Sequence, residues 1–483
     1  MPGTIRETAA GEEHVAPGGI SGFIAKFTVL KSARRELWLT FLIKLLIYTA
    51  YSITNKTLIL WLSKDLGFSD QGASVMIGSI WAPAMTIFIL LAGSVTDAIG
   101  LRRTFFIGVA ICTFARSVMV LTTNPALAFV CGLLPLAVGE ALGTPVLLAA
   151  TRVYSTTAQR SIAFSIIYAL MNVGYWVAGY VFDFVRSLDL HVNIAGFEPT
   201  VHEQLFAVSL ALEILLFPTI YFLRKREERQ RESHPTIMAT VRASAKQTID
   251  LFGRLLRQSA FYRLLVFFLF IGFLKMIFLL ADYVFPKFGD REMGLHAPVG
   301  KLVGINALII IVLAPIVGAM TQRIASYRMV IIGSIICAAG VFIMALPTDW
   351  FVPTANGLVG GWLGHGYLGL TGMVHPYYVM SAIYLTIFSI GEAFYSPRVY
   401  EYAASIAPPG QEASYGSLAY LPFLFGKLLI TSSGWLLATF CPETGPRHSG
   451  MMWFIFACAA SVAPVGLLIF RRYIEVHEAG RSD

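Results

Sequence analysis

Charge is what this sequence has least of. Of 483 residues only 13% are Asp, Glu, Lys or Arg, about half the roughly 25% of an ordinary soluble domain. A soluble chain of this length would form about three domains and cover each with charge. A cytosolic enzyme and a disordered chain are therefore excluded. Cysteine is also sparse. Cys112, Cys131, Cys337, Cys441 and Cys458 are scattered, mostly in apolar runs, with no CxxC and no Cys/His metal spacing. Neither a disulfide framework nor a metal site is expected. His202-Glu203 lacks the second His of HExxH, and no Walker loop or nucleophile elbow is present. No catalytic residue, cofactor or nucleotide-driven step is expected. The polar stretch up to about Ser32 has no apolar run placed as in a cleavable signal peptide, so the first apolar helix is expected to direct insertion.

Apolar residues make up 56% of the chain, and mean hydropathy is +0.69. A membrane span needs about 20 apolar residues at 1.5 Å each. Twelve runs qualify: 37–62, 70–96, 103–122, 126–151, 159–187, 202–224, 261–285, 297–321, 328–347, 376–406, 413–440 and 450–472. The expected fold is an all-α polytopic membrane protein of twelve transmembrane helices in two six-helix halves, 36–224 and 261–473. An N-terminal segment (1–35), a linker (225–260) and a tail (474–483) complete the chain.

The net charge is +8, and its placement follows topology, not nucleic acid. Basic residues crowd the linker and its edges, from Arg224 to Arg263, and flank the first and last spans at Lys31, Arg34, Arg35, Arg471 and Arg472. The positive-inside rule places both termini and the linker in the cytoplasm. Which membrane is involved, plasma, inner or organellar, stays open. Ile237, Val241, Ile249, Phe252 and Leu256 fall on one helical face, which predicts an amphipathic helix on the inner leaflet. The loop 348–375 is expected outside, with no chemistry.

The halves carry a repeat. Gly93-Ser-Val-Thr-Asp97-Ala-Ile-Gly100-Leu-Arg102-Arg103 closes span 2. Gly318-Ala-Met-Thr-Gln322-Arg-Ile-Ala-Ser-Tyr-Arg328 closes span 8, in register 225 residues later. Paired six-helix halves are the build of many secondary transporters, whose solute site lies between them near the midplane. The first copy resembles the signature loop of the major facilitator superfamily. The resemblance implies that Gly93, Asp97, Gly100, Arg102 and Arg103 belong to a gate that latches the cytoplasmic side. Gly93 permits a close helix approach, Asp97 can meet a helix N-terminus or an arginine, and Gly100 allows the tight turn.

Two further stretches narrow the resemblance. Span 5 reads Arg160-Ser-Ile-Ala-Phe164-Ser-Ile-Ile167-Tyr168-Ala-Leu-Met171-Asn172-Val-Gly174. Span 10 reads Gly391-Glu392-Ala-Phe-Tyr-Ser396-Pro397, then Glu401 and Ala407-Pro408. Both are similar to signatures of the proton-dependent oligopeptide transporter family. That resemblance implies alternating access, proton-coupled symport of a small peptide or amino-acid-like solute, and a role for Glu392 at the peptide's amino terminus. The family's first-helix Glu-x-x-Glu-Arg is missing, since span 1 reads Phe41-Leu-Ile-Lys44-Leu-Leu-Ile-Tyr48-Thr-Ala-Tyr51. Its span 4 Lys is replaced by Thr144, and Ile167 stands where an aromatic is usual.

The ionisable residues well inside spans are Lys44, Arg116, Glu140, Glu213, Lys275, Glu392 and Lys427. Each costs about 2.5–3.5 kcal/mol at a helix centre and needs a partner or a wet cavity. Helical spacing puts Lys44, Tyr48, Tyr51 and Asn55 on one face, and Glu140, Thr144 and Thr151 on another. Tyr168, Asn172, Tyr175 and Gly179 share a third, and Lys275 and Asp282 lie two turns apart on span 7. Such stripes fit a central cavity better than lipid contact. The expected solute-binding residues are Lys44, Tyr48, Glu140, Tyr168, Asn172, Lys275, Glu392 and Lys427. A cavity with both signs suits a zwitterion, or an anion carrying an amine. Glu140, Glu392 and Asp282 are the candidates for proton coupling. Arg116 and Glu213 lie on spans that are peripheral in the superfamily, and a structural pairing is expected for them. The partners are then a small solute, the proton and the bilayer, for a monomer; an accessory membrane protein stays open. So do a facilitator or exporter of another organic anion, sugar or drug-like solute, and a non-transporting scaffold.

Overall fold

A computed structural model describes residues 29–188, 190, 193, 196–223, 246, 250, 253–321, 324–406, 418 and 421–475. Among them are twelve helices long and apolar enough to cross a membrane. In the first half these are Arg35–Asp65, Asp70–Ala92, Leu101–Leu121, Pro125–Tyr154, Ile162–Leu188 and Val201–Tyr221. In the second they are Ser259–Tyr283, Val299–Gly318, Ser326–Ala345, Pro376–Ala403, Leu421–Phe440 and Ser449–Ile469. They are spans 1 to 12. No strand occurs among the described residues, as lipid allows only helices or closed barrels to satisfy the backbone. The predicted linker helix and the start of predicted span 11 lie largely outside the described residues.

Local chemistry sets the ends. The helix of span 2 continues to Ile99 and span 3 begins at Leu101, so Gly100 alone joins them. Its φ of 92° is open to glycine and strained for any L side chain. Asn124 caps span 4 by accepting from the Ala126 and Leu127 amides. Thr200 and Glu203 form a reciprocal capping box on span 6, satisfying two orphan amides.

The two halves repeat one crossing. A Cβ at Gly139 would overlap Cys112 Sγ and the Gly108 carbonyl, where span 4 meets span 3. A Cβ at Gly391 would overlap Cys337 Sγ and the Gly333 carbonyl, where span 10 meets span 9. Gly333 and Cys337 follow Gly108 and Cys112 by 225 residues, the offset of the loop repeat. Small residues let the helix backbones close up. Each crossing also places a glutamate next to its glycine, Glu140 in one half and Glu392 in the other.

Chain direction puts both termini on one face of the bundle, here the terminal face; the opposite face is the far face. The contacts between halves gather toward the far face. Gly179 of span 5 and Gly300 of span 8 touch backbone to backbone. Asp183, one turn on, accepts from the Gly300 and Lys301 amides at 2.9 and 2.6 Å, so a carboxylate of one half caps a helix of the other. Asp70 pairs with Lys287 at 2.5 Å and Arg291 at 2.8 Å. Asp290 pairs with Lys64 at 2.8 Å and with Arg186. The loop after span 9, expected to be inert, joins this closure. Tyr367 donates to the Lys301 carbonyl at 2.9 Å and meets the Tyr180 ring edge-on.

A side chain at Gly300 cannot be accommodated in this closed arrangement, since its Cβ would meet the Gly179 carbonyl. Gly300→Val is expected to hold the far face apart. A cysteine at Asn55, fully buried here, should then react with an impermeant thiol reagent from the far face about tenfold faster. An unchanged rate would refute this role for the glycine contact.

Candidate functional site

Between the halves lies a cavity of about 400 Å³, within the roughly 300–1,000 Å³ range of small-molecule sites. Spans 1, 2, 3, 4, 5 and 6 contribute from one half and spans 7, 10 and 11 from the other. Lys44, Tyr48, Glu140, Tyr168, Asn172, Lys275, Glu392 and Lys427 all stand on its wall. Tyr51 and Tyr175 join them, with Tyr175 edge-on to Tyr48 and Phe278.

The three cavity lysines are held alike. Lys44 Nζ sits 3.7 Å from the centroid of the Tyr48 ring. Lys427 Nζ sits 4.2 Å from the Trp81 ring and 3.8 Å from Met85 Sδ. Lys275 Nζ lies among Phe423, Tyr395 and Phe278, at 4.7, 5.1 and 5.8 Å. Among the described residues none of the three has a carboxylate oxygen within 4.0 Å. Aromatic faces offset part of the burial of a cation, about 0.5–2 kcal/mol each, and leave its N–H donors free for an anion.

Glu392 accepts from Asn306 Nδ2 at 3.0 Å, and the same amide donates to Ser389 Oγ at 2.9 Å. Asn306 therefore fixes the carboxylate without neutralising it. Glu140 is held differently. Arg116, only 1% exposed, donates to Glu140 at 2.9 Å, Glu213 at 3.2 Å and Thr54 Oγ1 at 3.2 Å. Arg116 and Glu213 do pair, as expected, but they are not peripheral: both reach the cavity wall, and their pair takes in Glu140. The Glu140 oxygen Oε2 is buried with no hydrogen-bond partner among the described residues. Counted with both glutamates ionised, the cluster has one carboxylate more than it has cations.

Asp282 lies away from the main cavity. Its partner is Lys56 of span 1, at 2.5 Å, which also donates to Ser52 Oγ at 3.1 Å. One residue along each helix, Tyr283 donates to Asn55 Oδ1 at 2.6 Å. These contacts tie span 1 to span 7 between cavity and far face. Lys56 was missed by the sequence reading, because its partner is 226 residues away. Farther out, burial alone would raise the Asp290 carboxyl. The Arg186 and Lys64 charges outweigh it and hold Asp290 below the usual carboxylate range. Its ion pairs thus stabilise the closed far face at neutral pH and are lost only as pH falls through the lowered value.

On the terminal face, Gly100 makes the one-residue turn and Arg102 stacks 5.2 Å over the Tyr221 ring. Arg103 is exposed. The side chains of Gly93, Asp97 and Thr144, and residue Gln322 of the second copy, lie outside the described part. The described inter-half ion pairs all lie beyond the cavity toward the far face, and the cavity wall includes the exposed Leu148 and Tyr400 on the terminal side. Among the described residues the arrangement is closed on the far face.

The Major Facilitator Superfamily model matches residues 40–364. The chain belongs to this superfamily. It is an integral, multi-pass membrane protein with a transporter's fold. Similar solved structures include a POT family transporter in complex with 5-aminolevulinic acid, with a TM-score of 0.66 at 16% identity over 92% of this chain and 97% of that one. A peptide transporter POT gives 0.68 at 16% identity over 91% and 94%. The nucleoside transporter NupG gives 0.66 at 12% identity over 91% and 100%. No protein of curated function matches the sequence. Peptide and nucleoside transporters share the fold to the same degree, so the solute has to be read from the cavity.

Proposed function

We propose that the protein is a secondary active transporter of a small peptide or amino-acid-like solute, driven by proton symport, with both termini in the cytoplasm. One observation carries this reading. Two kinds of charge without an ion-pair partner among the described residues face one cavity, ammonium groups on aromatic rings and the Glu392 carboxylate held by Asn306. A solute with an amine and a carboxylate complements both. Nucleosides and neutral sugars offer neither charge. The site is complete within a single chain, and a monomer suffices.

Alternating access then rocks the halves about this site. The far-face ion pairs and the Gly179–Gly300 contact hold the inward-open state. Of the three coupling candidates, Glu140 is bound to Arg116 and Asp282 to Lys56. Glu392 has no ion-pair partner within 4.0 Å among the described residues. It is therefore the carboxylate that takes the symported proton, a role that no first-span acid can fill here.

The test is uptake of labelled di- and tripeptides into proteoliposomes, with and without an inward proton gradient. Wild type should concentrate peptide only with the gradient. Glu392→Gln should lose gradient-driven accumulation. Absence of peptide uptake under any gradient would overturn the peptide reading, and gradient-driven uptake by Glu392→Gln would move the coupling elsewhere.

A further inference from the structure

We infer that the preferred solute is acidic: dipeptide-sized, with one ammonium and two carboxylates. The inference deepens the reading of the same cavity and rests on it. The wall holds four cations, Lys44, Lys275, Lys427 and Arg116, against three carboxylates, Glu140, Glu213 and Glu392. Counted as ionised, the wall has one excess positive charge, and a symported proton adds another, so a ligand of net charge −1 offsets it better than a neutral zwitterion.

The placement says which cation is left over. Arg116 is consumed by its two glutamates. Lys427 stands on the same cavity wall as this cluster and is the cation set against its surplus glutamate. Glu392 takes the solute ammonium as a hydrogen-bond acceptor, with or without the symported proton, and Lys275, on the same wall, takes a solute carboxylate. Lys44 remains. Among the described residues it makes no ion pair or hydrogen bond, and its ammonium rests on the Tyr48 ring. That ring is apolar support, not a counter-charge, and leaves three donors for an incoming anion. Lys44 is thus assigned to a second carboxylate, on the solute's side chain.

The test is calorimetric binding of Ala-Glu and Ala-Gln to the purified full-length protein in detergent. The two peptides match in shape and differ by one charge. Ala-Glu should bind about tenfold more tightly, the value of one charge-assisted contact, and in Lys44→Met the ratio should fall to about one. Equal or weaker binding of Ala-Glu by wild type overturns the acidic preference and leaves the peptide reading standing. A ratio unchanged in Lys44→Met removes Lys44 from the role. Binding of neither peptide at millimolar concentration overturns the preference and the peptide reading together. The wild-type comparison decides the preference even if the variant fails to fold.

Discussion

Arg116→Gln is expected to be the most destabilising single substitution in the chain, at about 3–5 kcal/mol. The guanidinium is 1% exposed and serves Glu140, Glu213 and Thr54 at once. Its loss leaves two carboxylates, each about 5–6% exposed, facing each other without a counter-charge. Most point substitutions cost about 1 kcal/mol, and values above 4 require a mechanism of this kind. The measurement is thermal unfolding in detergent, followed by the fluorescence of the buried tryptophans. The midpoint should fall far below that of the exposed control Arg103→Gln. Adding Glu140→Gln and Glu213→Gln should restore most of the loss, since the penalty lies in the unpaired charges. A variant as stable as wild type would show that the cluster is hydrated and not a buried triad.

Asp282→Asn is expected to open the far face. Lys56 and Asp282 belong to different halves and meet in this arrangement, in which the far face is closed. Neutralising Asp282 leaves a buried ammonium unpaired in the closed state, while in the open state Lys56 can reach water. The cost, about 3–5 kcal/mol, falls on the closed conformation and shifts the balance by roughly 10²- to 4 × 10³-fold. Spin labels at Phe68 and Leu295, both beside the far-face ion pairs, should report a longer distance in Asp282→Asn. The charge exchange Lys56→Asp with Asp282→Lys should return it toward the wild-type value. An unchanged distance would mean that the Asp290, Asp70 and Asp183 contacts hold the face without this pair.

The spans were readable because each is a long apolar run with a defined stop, such as Gly100 or Asn124. The cavity-lining charges were readable for a related reason: an ionisable group in an apolar helix is costly, so its presence marks a cavity or a pair. That argument brought Lys44, Lys275, Lys427, Glu140 and Glu392 to one space. It could not say which groups pair. Arg116 was placed with peripheral helices, whereas its length carries the guanidinium to the cavity wall. Lys56 stands in span 1 with no local sign of Asp282 on the other half. The aromatic supports, Trp81 and Phe423, sit in spans remote in sequence from any cue and read as ordinary core. One signal was present and not used. Gly108-x-x-x-Cys112 and Gly333-x-x-x-Cys337 extend the 225-residue repeat, and the glycines they meet each precede a cavity glutamate.

The central claim is that one cavity is reached from each side of the membrane in turn. Ser396 lines the cavity and is nearly buried, so Ser396→Cys, in a background lacking the five native cysteines, offers a direct probe. Proteoliposomes with the protein in a single orientation would be treated with an impermeant thiol reagent from either side. The account predicts labelling from the terminal face at rest, labelling from both faces during solute exchange, and loss of terminal-face labelling when peptide fills the site. Labelling from one face alone under every condition would contradict alternating access and leave a static scaffold in its place.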